Sequence, residues 1–339
     1  MTSENTRLKL DEIRADEYKQ LQVTAYENDI ARLHSRLDEF VAANCPACDR
    51  DDADFKYEKY RCQFRECRHC KTIYMSPRPS REVMDYYYSN SENYAIWNKY
   101  IFPKSEANRR EKICRPNLEA IVAECKRSGM QKPRFLEVGA GFGTFAELAN
   151  QIGYFGDVFV LEHTPDMVAS CRAKGLNVID AWLEEAGPEH RESFDVAACF
   201  EVIEHIFDPF DFLKVVSGLL RTGGLFAFTC PNGRGFDTMM LEGAAPAVDT
   251  EHVNLFNTDS IGIVLERAGF ELVSVETPGQ LDVELVRRAV QAGQSDLDKD
   301  PFWRLLLVDE FDRLAGPFQA FLAANRLSGN MRVIARKAG

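Results

Sequence analysis

From Pro133 to the end of the chain, short apolar runs of strand length alternate with stretches whose apolar residues recur at helical spacing. The apolar runs predict strands within RFLEVGA, DVFVLEH, NVID, FDVAACFEV, LFAFTCP, ELVSVETP and MRVIARK, the last of them as an edge strand. Because parallel strands need crossover helices, this alternation predicts a mostly parallel sheet with helices on both faces. The fold class is therefore α/β, with a helical insertion at about 280–328 before the last strand.

Composition divides the chain into a helical segment (1–41), a cysteine-rich module (42–80), an aromatic-rich stretch with a linking helix (81–130) and the α/β domain (131–339). In the first segment, the apolar residues near helical spacing are Ile30, Leu33, Leu37 and Val41. They predict an amphipathic helix that packs on its own domain. The alternative is a helix that joins two copies of the chain as a homodimer.

Length, charge and cysteine usage limit the function classes. A net charge of −12 over 339 residues argues against a nucleic-acid surface, which usually needs a basic face. The sequence contains no run of eighteen apolar residues, so we expect no membrane span. The polar N-terminus lacks the apolar segment of a secretory signal, so we expect no such signal. The ten cysteines include two CxxC pairs, while most others lie in apolar contexts. This pattern is typical of metal ligands and buried thiols in a reducing compartment, so we expect a cytoplasmic protein.

The two CxxC pairs predict a structural zinc site. Cys45 and Cys48 are separated from Cys67 and Cys70 by eighteen residues, which is the spacing of a zinc ribbon. Four thiolates in a tetrahedron leave no open position for water, so such a site holds structure together and does not catalyse. The alternatives are four unmetallated thiols or a redox pair. Cys62 and His69 are spare ligands that the pair spacing argues against.

The stretch FLEVGAGFGT predicts a buried strand that ends in a glycine-rich turn and opens into a helix. Glycines at 139, 141 and 143 allow a ligand to approach backbone N–H groups without a side chain between them. The dinucleotide-binding fingerprint fails, because Thr144 stands where it requires its third glycine. An acidic residue, Glu137, lies inside the otherwise apolar strand.

With its flanking motifs, this turn resembles the class I S-adenosylmethionine (SAM)-dependent methyltransferases. EVGAGFG matches the first motif of that family, Glu162 closes the second strand, and Asp180 closes the third. The segments FDVAACFEVIEHIFDP and LLRTGGLFAFTCPN match the regions around the fourth and fifth strands. The resemblance covers about residues 133–278 and the last strand. It implies a Rossmann-like, seven-stranded methyltransferase sheet and SAM as the methyl donor.

The resemblance also implies which residues bind the cofactor. The backbone of Gly139, Gly141 and Gly143 would approach the methionine and sugar portions of SAM, and Glu137 would hold its ammonium group. Glu162 would accept hydrogen bonds from both ribose hydroxyls. The remaining candidates are Asp180 for the adenine amino group, Met167 and Trp182 for the two faces of the adenine ring, and Glu201 after the fourth strand. For Met167 and Trp182 the alternative is ordinary core packing.

Methylation of an alcohol needs a general base in addition to the donor. Two histidines, His252 and His205, each follow a glutamate and are the catalytic candidates. We favour His252, because its segment borders the acceptor pocket in the fold that the chain resembles. For His205 the alternative is a structural role in the turn after the fourth strand.

The stretch YYYSNSENYAIWNKY, with Tyr94 and Trp97 three residues apart, predicts a lid over the cofactor cleft; the alternative is core packing.

The whole arrangement is similar to bacterial methyltransferases in which a zinc ribbon and a segment like IYMSPRPS precede the catalytic domain. Many of these are encoded with surface-polysaccharide or sugar-modifying enzymes. The resemblance implies O-methylation of a sugar hydroxyl on a nucleotide-sugar or glycan, and a role in polysaccharide biosynthesis. The alternatives are a small natural-product acceptor, a nucleic acid or protein held by the locally basic ribbon (KYEKYRCQFRECRHCK), and a scaffold without activity.

Overall fold

The computed structural model describes residues 8–14 and 16–339, and the predicted helical character of residues 1–7 and 15 lies outside this range. The described chain forms two compact units. We call residues up to Glu106, Pro231–Ser260 and Glu276–Met331 the cysteine unit. We call Ala107–Cys230, Ile261–Val275 and Arg332–Gly339 the sheet unit. Within the described residues, no helix is both long enough and apolar enough to cross a membrane.

The strands are β1 (Phe40–Val41), β2 (Ala53–Lys59), β3 (Cys62–Cys67), β4 (Ile73–Met75), β5 (Arg78–Pro79), β6 (Phe135–Val138), β7 (Val158–Glu162), β8 (Asn177–Asp180), β9 (Phe194–Phe200), β10 (Leu220–Pro231), β11 (Asn254–Leu255), β12 (Phe270–Glu276) and β13 (Asn330–Lys337).

The α-helices are α1 (Lys19–His34), α2 (Arg81–Asn90), α3 (Glu92–Ile96), α4 (Phe102–Arg109), α5 (Arg115–Arg127), α6 (Thr144–Gln151), α7 (Pro165–Ala173), α8 (Pro209–Leu219), α9 (Phe236–Leu241), α10 (Ser260–Arg267), α11 (Asp282–Gln291), α12 (Pro301–Arg304) and α13 (Phe311–Ala324). Short π-helical segments are Trp97–Ile101, Arg110–Cys114 and Leu305–Asp309. Short 3₁₀ segments are Leu10–Glu12, Asp16–Tyr18, Leu37–Glu39, Leu183–Glu185, Pro188–His190, Glu242–Ala244 and Leu297–Lys299.

The sheet unit contains the predicted seven-stranded sheet, in the order β12-β13-β10-β9-β6-β7-β8. The neighbours from β10 to β8 pair in parallel, with Phe135 opposite both Val158 and Val196. The carboxyl ends of β6, β7 and β8 therefore meet at one edge of the sheet, which is where ligands bind in folds of this class. Apolar side chains of β6 and β9 and of helices α5 and α6 form its core. The α/β fold class predicted from the sequence is confirmed.

The last strand does not lie at the edge of the sheet, as its sequence predicted. β13 lies between β12 and β10, and its apolar side chains, such as Val333 and Ile334, are buried. Its cationic residues have partners inside the unit, since Arg336 donates to the Gly223 carbonyl and to Glu124. These contacts allow a strand with charged side chains to lie between two others.

The cysteine unit contains a four-stranded sheet in the order β11-β4-β3-β2, whose pairs are antiparallel. Phe64 and Met75 of this sheet share one core with Val286 and Leu307, which come from the predicted insertion. Residues 42–80 and the insertion thus fold as one body, although the chain separates them by about two hundred residues. In the N-terminal segment, α1 packs Leu33 against Val83 and Tyr87 of α2. Pairing of α1 with a second copy stays a prediction.

Candidate functional site

The glycine turn of the sheet unit joins β6 to α6 and has the backbone that the sequence predicted. Gly139, Gly141 and Gly143 all have positive φ, at 70°, 55° and 73°. A Cβ on Gly143 would lie 2.9 Å from both Cys171 Sγ and Leu176 Cδ1, so packing against the neighbouring helix requires this glycine. A Cβ on Gly141 would have no heavy atom within 4 Å. The turn therefore leaves open space beside Gly141, as a bound ligand requires.

Glu137 points from the buried strand β6 towards the start of α6. Glu137 is only 4% exposed, and its Oε2 accepts a hydrogen bond of 2.9 Å from the Ala146 N–H. Burial, together with the nearby Glu162 carboxylate, raises the pKa of Glu137 to about 8. Burial of a carboxyl group in a strand core is energetically unfavourable for its charged form. Such a group is a candidate for binding a cation, because a nearby cation would stabilise that charged form.

Glu162, at the end of β7, connects the glycine turn to the start of α7. Its Oε2 accepts from the Gly141 N–H, and its Oε1 accepts from the N–H groups of His163 and Thr164, each at 2.9 Å. Helix α7 begins without a side-chain cap from Thr164, and the Glu162 carboxylate binds the two residues that lead into this helix. Since each carboxylate oxygen has two lone pairs, Oε1 is fully used, and Oε2 can still accept from one further donor, such as a ribose hydroxyl.

Asp180 lies directly opposite Glu162 in the β7–β8 pair. Its Oδ2 accepts from Arg172 Nη2 at 2.9 Å, and both side chains are about half exposed. Trp182 is 41% exposed, and its ring stacks on the His163 ring at 3.5 Å between centroids. His163 was not among the site residues predicted from the sequence, although its position directly after Glu162 was an available signal.

The other candidates of the sheet unit lie at α7 and after β9. Met167 of α7 is half-buried. Glu201 is exposed, has a φ of 54°, and donates its backbone N–H to the Thr229 carbonyl. His205 is half-buried, with its Nε2 4.0 Å from Oε1 of the fully buried Glu204. The matched motif after the fourth strand thus forms a turn with one buried carboxylate next to a partly accessible imidazole.

In the cysteine unit, the four predicted metal ligands converge. The Sγ–Sγ distances are 3.4 Å for Cys45–Cys70, 3.6 Å for Cys48–Cys67 and 3.7 Å for Cys48–Cys70. Tetrahedral zinc with Zn–S bonds of about 2.3 Å requires sulfurs roughly 3.8 Å apart. All four sulfurs lie within 4.8 Å of one another, so the donor set fits this ion. The spare ligands do not join it: Cys62 packs in the core, and His69 is exposed.

Two turns of matching backbone geometry hold these thiols. Asp49 donates its N–H to the Cys45 carbonyl, and Lys71 donates to the Cys67 carbonyl. Both donors have left-handed backbones, with φ of 62° and 61°. The turns are therefore two copies of one local structure, each presenting two sulfurs to a common point.

His252 has its imidazole oriented by two neighbours in the same unit. Its Nδ1 lies 2.9 Å from the Ala247 carbonyl oxygen and 3.3 Å from Asp249 Oδ2. Because a carbonyl can only accept, Nδ1 carries the proton, which makes Nε2 the basic nitrogen. The Asp249 carboxylate also accepts from the His252 backbone N–H at 2.8 Å. This arrangement suits a general base whose ring is held in one tautomer.

Glu251, next to His252, is held by two tyrosines of the aromatic stretch. It accepts from the hydroxyls of Tyr87 at 2.8 Å and Tyr94 at 2.9 Å, and burial raises its pKa to about 7. Trp97 packs elsewhere, with the Arg14 guanidinium 5.8 Å from its ring centroid. Sequence reasoning missed the Glu251–tyrosine contacts, because more than 150 residues separate these groups along the chain.

Part of the locally basic stretch of the cysteine unit is ion-paired. Arg68 binds Asp52 and Asp54, and Lys56 binds Glu66 at 2.8 Å. Acidic neighbours therefore neutralise part of the charge that a nucleic acid would need.

A family model described as a methyltransferase domain matches residues 106–275, half of the chain. The chain is also similar to proteins described as ubiquinone biosynthesis O-methyltransferases. It is 30% identical to that of Saccharophagus degradans over 111 residues, covering 32% of this chain and 47% of the relative. It is 28% identical to that of Escherichia coli O9:H4 over 136 residues, covering 39% of this chain and 54% of the relative. The chain thus spans about half the length of the curated relatives it matches.

Solved structures are similar over a larger share of the chain but at lower identity. A SAM-dependent methyltransferase from Archaeoglobus fulgidus matches with a TM-score of 0.43 and 20% identity, covering 65% of this chain and 94% of that one.

Proposed function

The chain belongs to the family of the methyltransferase domain, and from this premise we propose that it transfers the methyl group of SAM to a hydroxyl of a sugar, carried on a nucleotide or within a glycan. Membership of the family confirms the domain type predicted from the sequence. The observation that carries the proposal is the open glycine turn between two carboxylates, Glu137 and Glu162. It supports SAM as the donor, since the cofactor offers an ammonium group and two vicinal hydroxyls.

SAM, when bound, supplies a methyl group already activated by its sulfonium. The protein then has to bind the donor, orient the acceptor and exclude water. In our proposal Glu137 pairs with the ammonium, Oε2 of Glu162 accepts from one ribose hydroxyl, and the open side of Gly141 accommodates the ligand. Asp180 and the Trp182 ring remain the candidates for the adenine. Asp180 can accept from the adenine amino group through Oδ1, because Arg172 engages only Oδ2.

We assign the general base to His252. Its Nε2 takes the proton of the acceptor hydroxyl, while Ala247 and Asp249 hold the other nitrogen protonated and stabilise the imidazolium. Glu251 and its two tyrosines fix the polypeptide on the N-terminal side of this histidine. His205 is the second candidate for the base, and His205→Asn in the same assay tests it.

We assign the four thiolates to one structural zinc ion, because the sulfur spacing fits it. We also expect the protein to act in a reducing compartment such as the cytoplasm, since all ten cysteines are free of disulfide bonds.

A second candidate function is methylation of a hydroxyl on a small aromatic molecule. The curated relatives favour it, because their names assign O-methylation in ubiquinone biosynthesis. These relatives support transfer of the methyl group to oxygen, which both candidate functions share. They are also the reason for considering an aromatic acceptor beside the sugar.

The test is a screen of nucleotide-sugars, free glycans and phenolic acceptors for conversion of SAM, with mass detection of a product that has gained one methyl group. We expect turnover with a sugar hydroxyl, lost in His252→Asn at unchanged SAM affinity. His190→Asn is the matched control, because it removes an imidazole of the sheet unit that contacts Glu189 and Phe194 and has no role in the proposed site. Turnover with phenols alone would refute the sugar acceptor and support the aromatic one. Full activity of His252→Asn would refute that histidine as the base.

A further inference from the structure

A cleft of about 290 Å³ lies in the cysteine unit beside the hairpin of β2 and β3, away from the four cysteines. Its volume is near the lower end of the range for small-molecule sites. Three polar side chains and three apolar ones line it: Glu58, Arg61, Gln63, Leu37, Phe40 and Pro77. The residues that bind SAM in the proposed function are not among them.

The polar side chains of this cleft are not used by the protein itself. Across residues 8–14 and 16–339, the structure gives Glu58, Arg61 and Gln63 no side-chain hydrogen bond or ion pair. This contrasts with Arg68 and Lys56 of the same hairpin, which are both ion-paired. Glu58 and Gln63 are cross-strand partners, so they lie side by side on the exposed face of the hairpin.

The hairpin turn gives Arg61 a left-handed backbone conformation that is unfavourable for residues other than glycine. β2 and β3 are joined by two residues, Tyr60 and Arg61, whose φ angles are 51° and 59°. Such turns normally contain glycine or asparagine, because other side chains disfavour this backbone. Contacts from α1 hold the turn in place: the Tyr60 carbonyl accepts from His34 Nε2 at 2.7 Å, and the Tyr60 ring packs edge-on against Tyr26. Costly backbone of this kind persists where surrounding contacts impose it, and it is common at binding sites.

The charges select the chemistry of the ligand. A simple anion would be repelled by Glu58, and a simple cation would be repelled by Arg61. A neutral molecule with several neighbouring hydroxyls satisfies both, because each hydroxyl can donate to the carboxylate and accept from the guanidinium. Gln63 offers a donor and an acceptor together. Phe40, Leu37 and Pro77 supply the apolar surface that the C–H face of a sugar ring can cover.

We propose that this cleft binds a neutral saccharide ring. Arg61 and Gln63 donate to its hydroxyl oxygens, Glu58 accepts from its hydroxyl groups, and Phe40 packs against the ring. The proposal does not rest on the methyl acceptor, because the cleft would bind the ring in the absence of SAM and without turnover.

The test uses the full-length, zinc-loaded protein and a panel of methyl glycosides of common hexoses and 6-deoxyhexoses. Saturation-transfer NMR should show saturable binding of at least one glycoside. Arg61→Gly should weaken it by about tenfold or more, the effect of losing hydrogen bonds from a charged donor, and Gln63→Ala, which loses neutral hydrogen bonds, by about threefold or more. Arg65→Ala, which removes a cation from the same hairpin outside the cleft, should leave the affinity unchanged.

Arg61→Gly also separates binding from folding, because glycine adopts the left-handed backbone without the cost that arginine bears. Its melting temperature should equal or exceed that of the wild type while glycoside binding falls. Undiminished binding in this variant would overturn the proposal, as would absence of binding by every glycoside to a wild type that still retains zinc. Displacement of the glycosides by a free amino acid at equal concentration would instead identify a site for zwitterions and would equally overturn it.

Discussion

At the scale of single residues, Glu162 combines two tasks on one carboxylate. Three backbone N–H groups, from Gly141, His163 and Thr164, already donate to it before any ligand is bound. These bonds fix the direction of the remaining lone pair of Oε2, so the carboxylate is oriented in advance for the ribose that we assign to it. Preorganisation of this kind saves the ordering cost that binding would otherwise include.

We predict that Glu162→Gln weakens SAM binding by about ten- to a hundredfold, since hydrogen bonds to a charged acceptor contribute about 1.5–3 kcal/mol. Glutamine keeps the size of the side chain but offers one acceptor oxygen in place of two. Titration calorimetry with SAM measures the effect, and circular dichroism shows whether the fold is kept. Glu185→Gln is the control, because it changes an exposed glutamate of the same unit. Equal affinity in a folded Glu162→Gln protein would refute the assignment.

Glu137 leads to a second prediction, about protons. Because its pKa is raised to about 8, most molecules carry the protonated form at pH 7, which cannot pair with an ammonium group. Binding of SAM should therefore release a proton from Glu137, and the affinity should rise as the pH rises towards 8. Calorimetry at pH 7 in buffers of different ionisation enthalpy measures the number of protons released.

Glu137→Gln keeps the shape of that side chain and removes the titration. We expect weaker binding that no longer depends on pH in this window and no longer releases the proton. Binding to the wild type with no proton exchange would show that Glu137 does not hold the ammonium.

At the scale of elements, the two thiol-bearing turns repeat one design. In each, the first cysteine accepts a backbone hydrogen bond from a residue four positions later, and that residue is left-handed. The CxxC spacing made this local structure predictable. The core shared by the ribbon strands and the insertion was not predictable, because it joins Phe64 to Val286 across the chain.

We predict one zinc ion per chain, measured by elemental analysis of the purified protein. Replacing Cys67 and Cys70 by serine should abolish zinc binding and destabilise the cysteine unit, since folding and metal binding are coupled. The two spare ligands provide matched controls: Cys62→Ser and His69→Ala should both retain the metal. Loss of zinc in either control, or a stable wild type without metal, would contradict the four-thiolate site.

At the scale of the whole molecule, what the sequence predicted was local. The strand pattern, the glycine turn and the cysteine spacing each depend on residues close together in the chain. The contacts of Glu251 with Tyr87 and Tyr94, the stacking of His163 on Trp182, and the interior place of β13 depend on tertiary packing. The turn at Tyr60 and Arg61 was also missed, because it lacks the glycine or asparagine that usually indicates such a turn.

Buried acids in both units lead to a prediction for the stability of the whole chain. Burial raises the pKa of Glu137 to about 8, and those of Asp237 and Glu251 to about 7; for Asp237 the neighbouring Asp282 adds to the effect. Between their ordinary values near 4 and these raised values, the folded protein binds more protons than the unfolded chain. The free energy of unfolding should therefore fall as the pH rises from about 5 to about 8, by roughly several kcal/mol.

Exposed carboxylates such as Asp54 and Glu111, whose ion pairs lower their pKa, act in the opposite direction, but solvent screens them. Thermal unfolding at pH 6 and at pH 8 measures the difference. A zinc-sensitive dye followed in parallel shows whether the metal stays bound at the lower pH. Asp237→Asn should remove part of the slope, because asparagine retains the size of the side chain but cannot ionise. A melting temperature that rises between pH 6 and pH 8 with zinc bound throughout would show that these acids are charged in the folded protein.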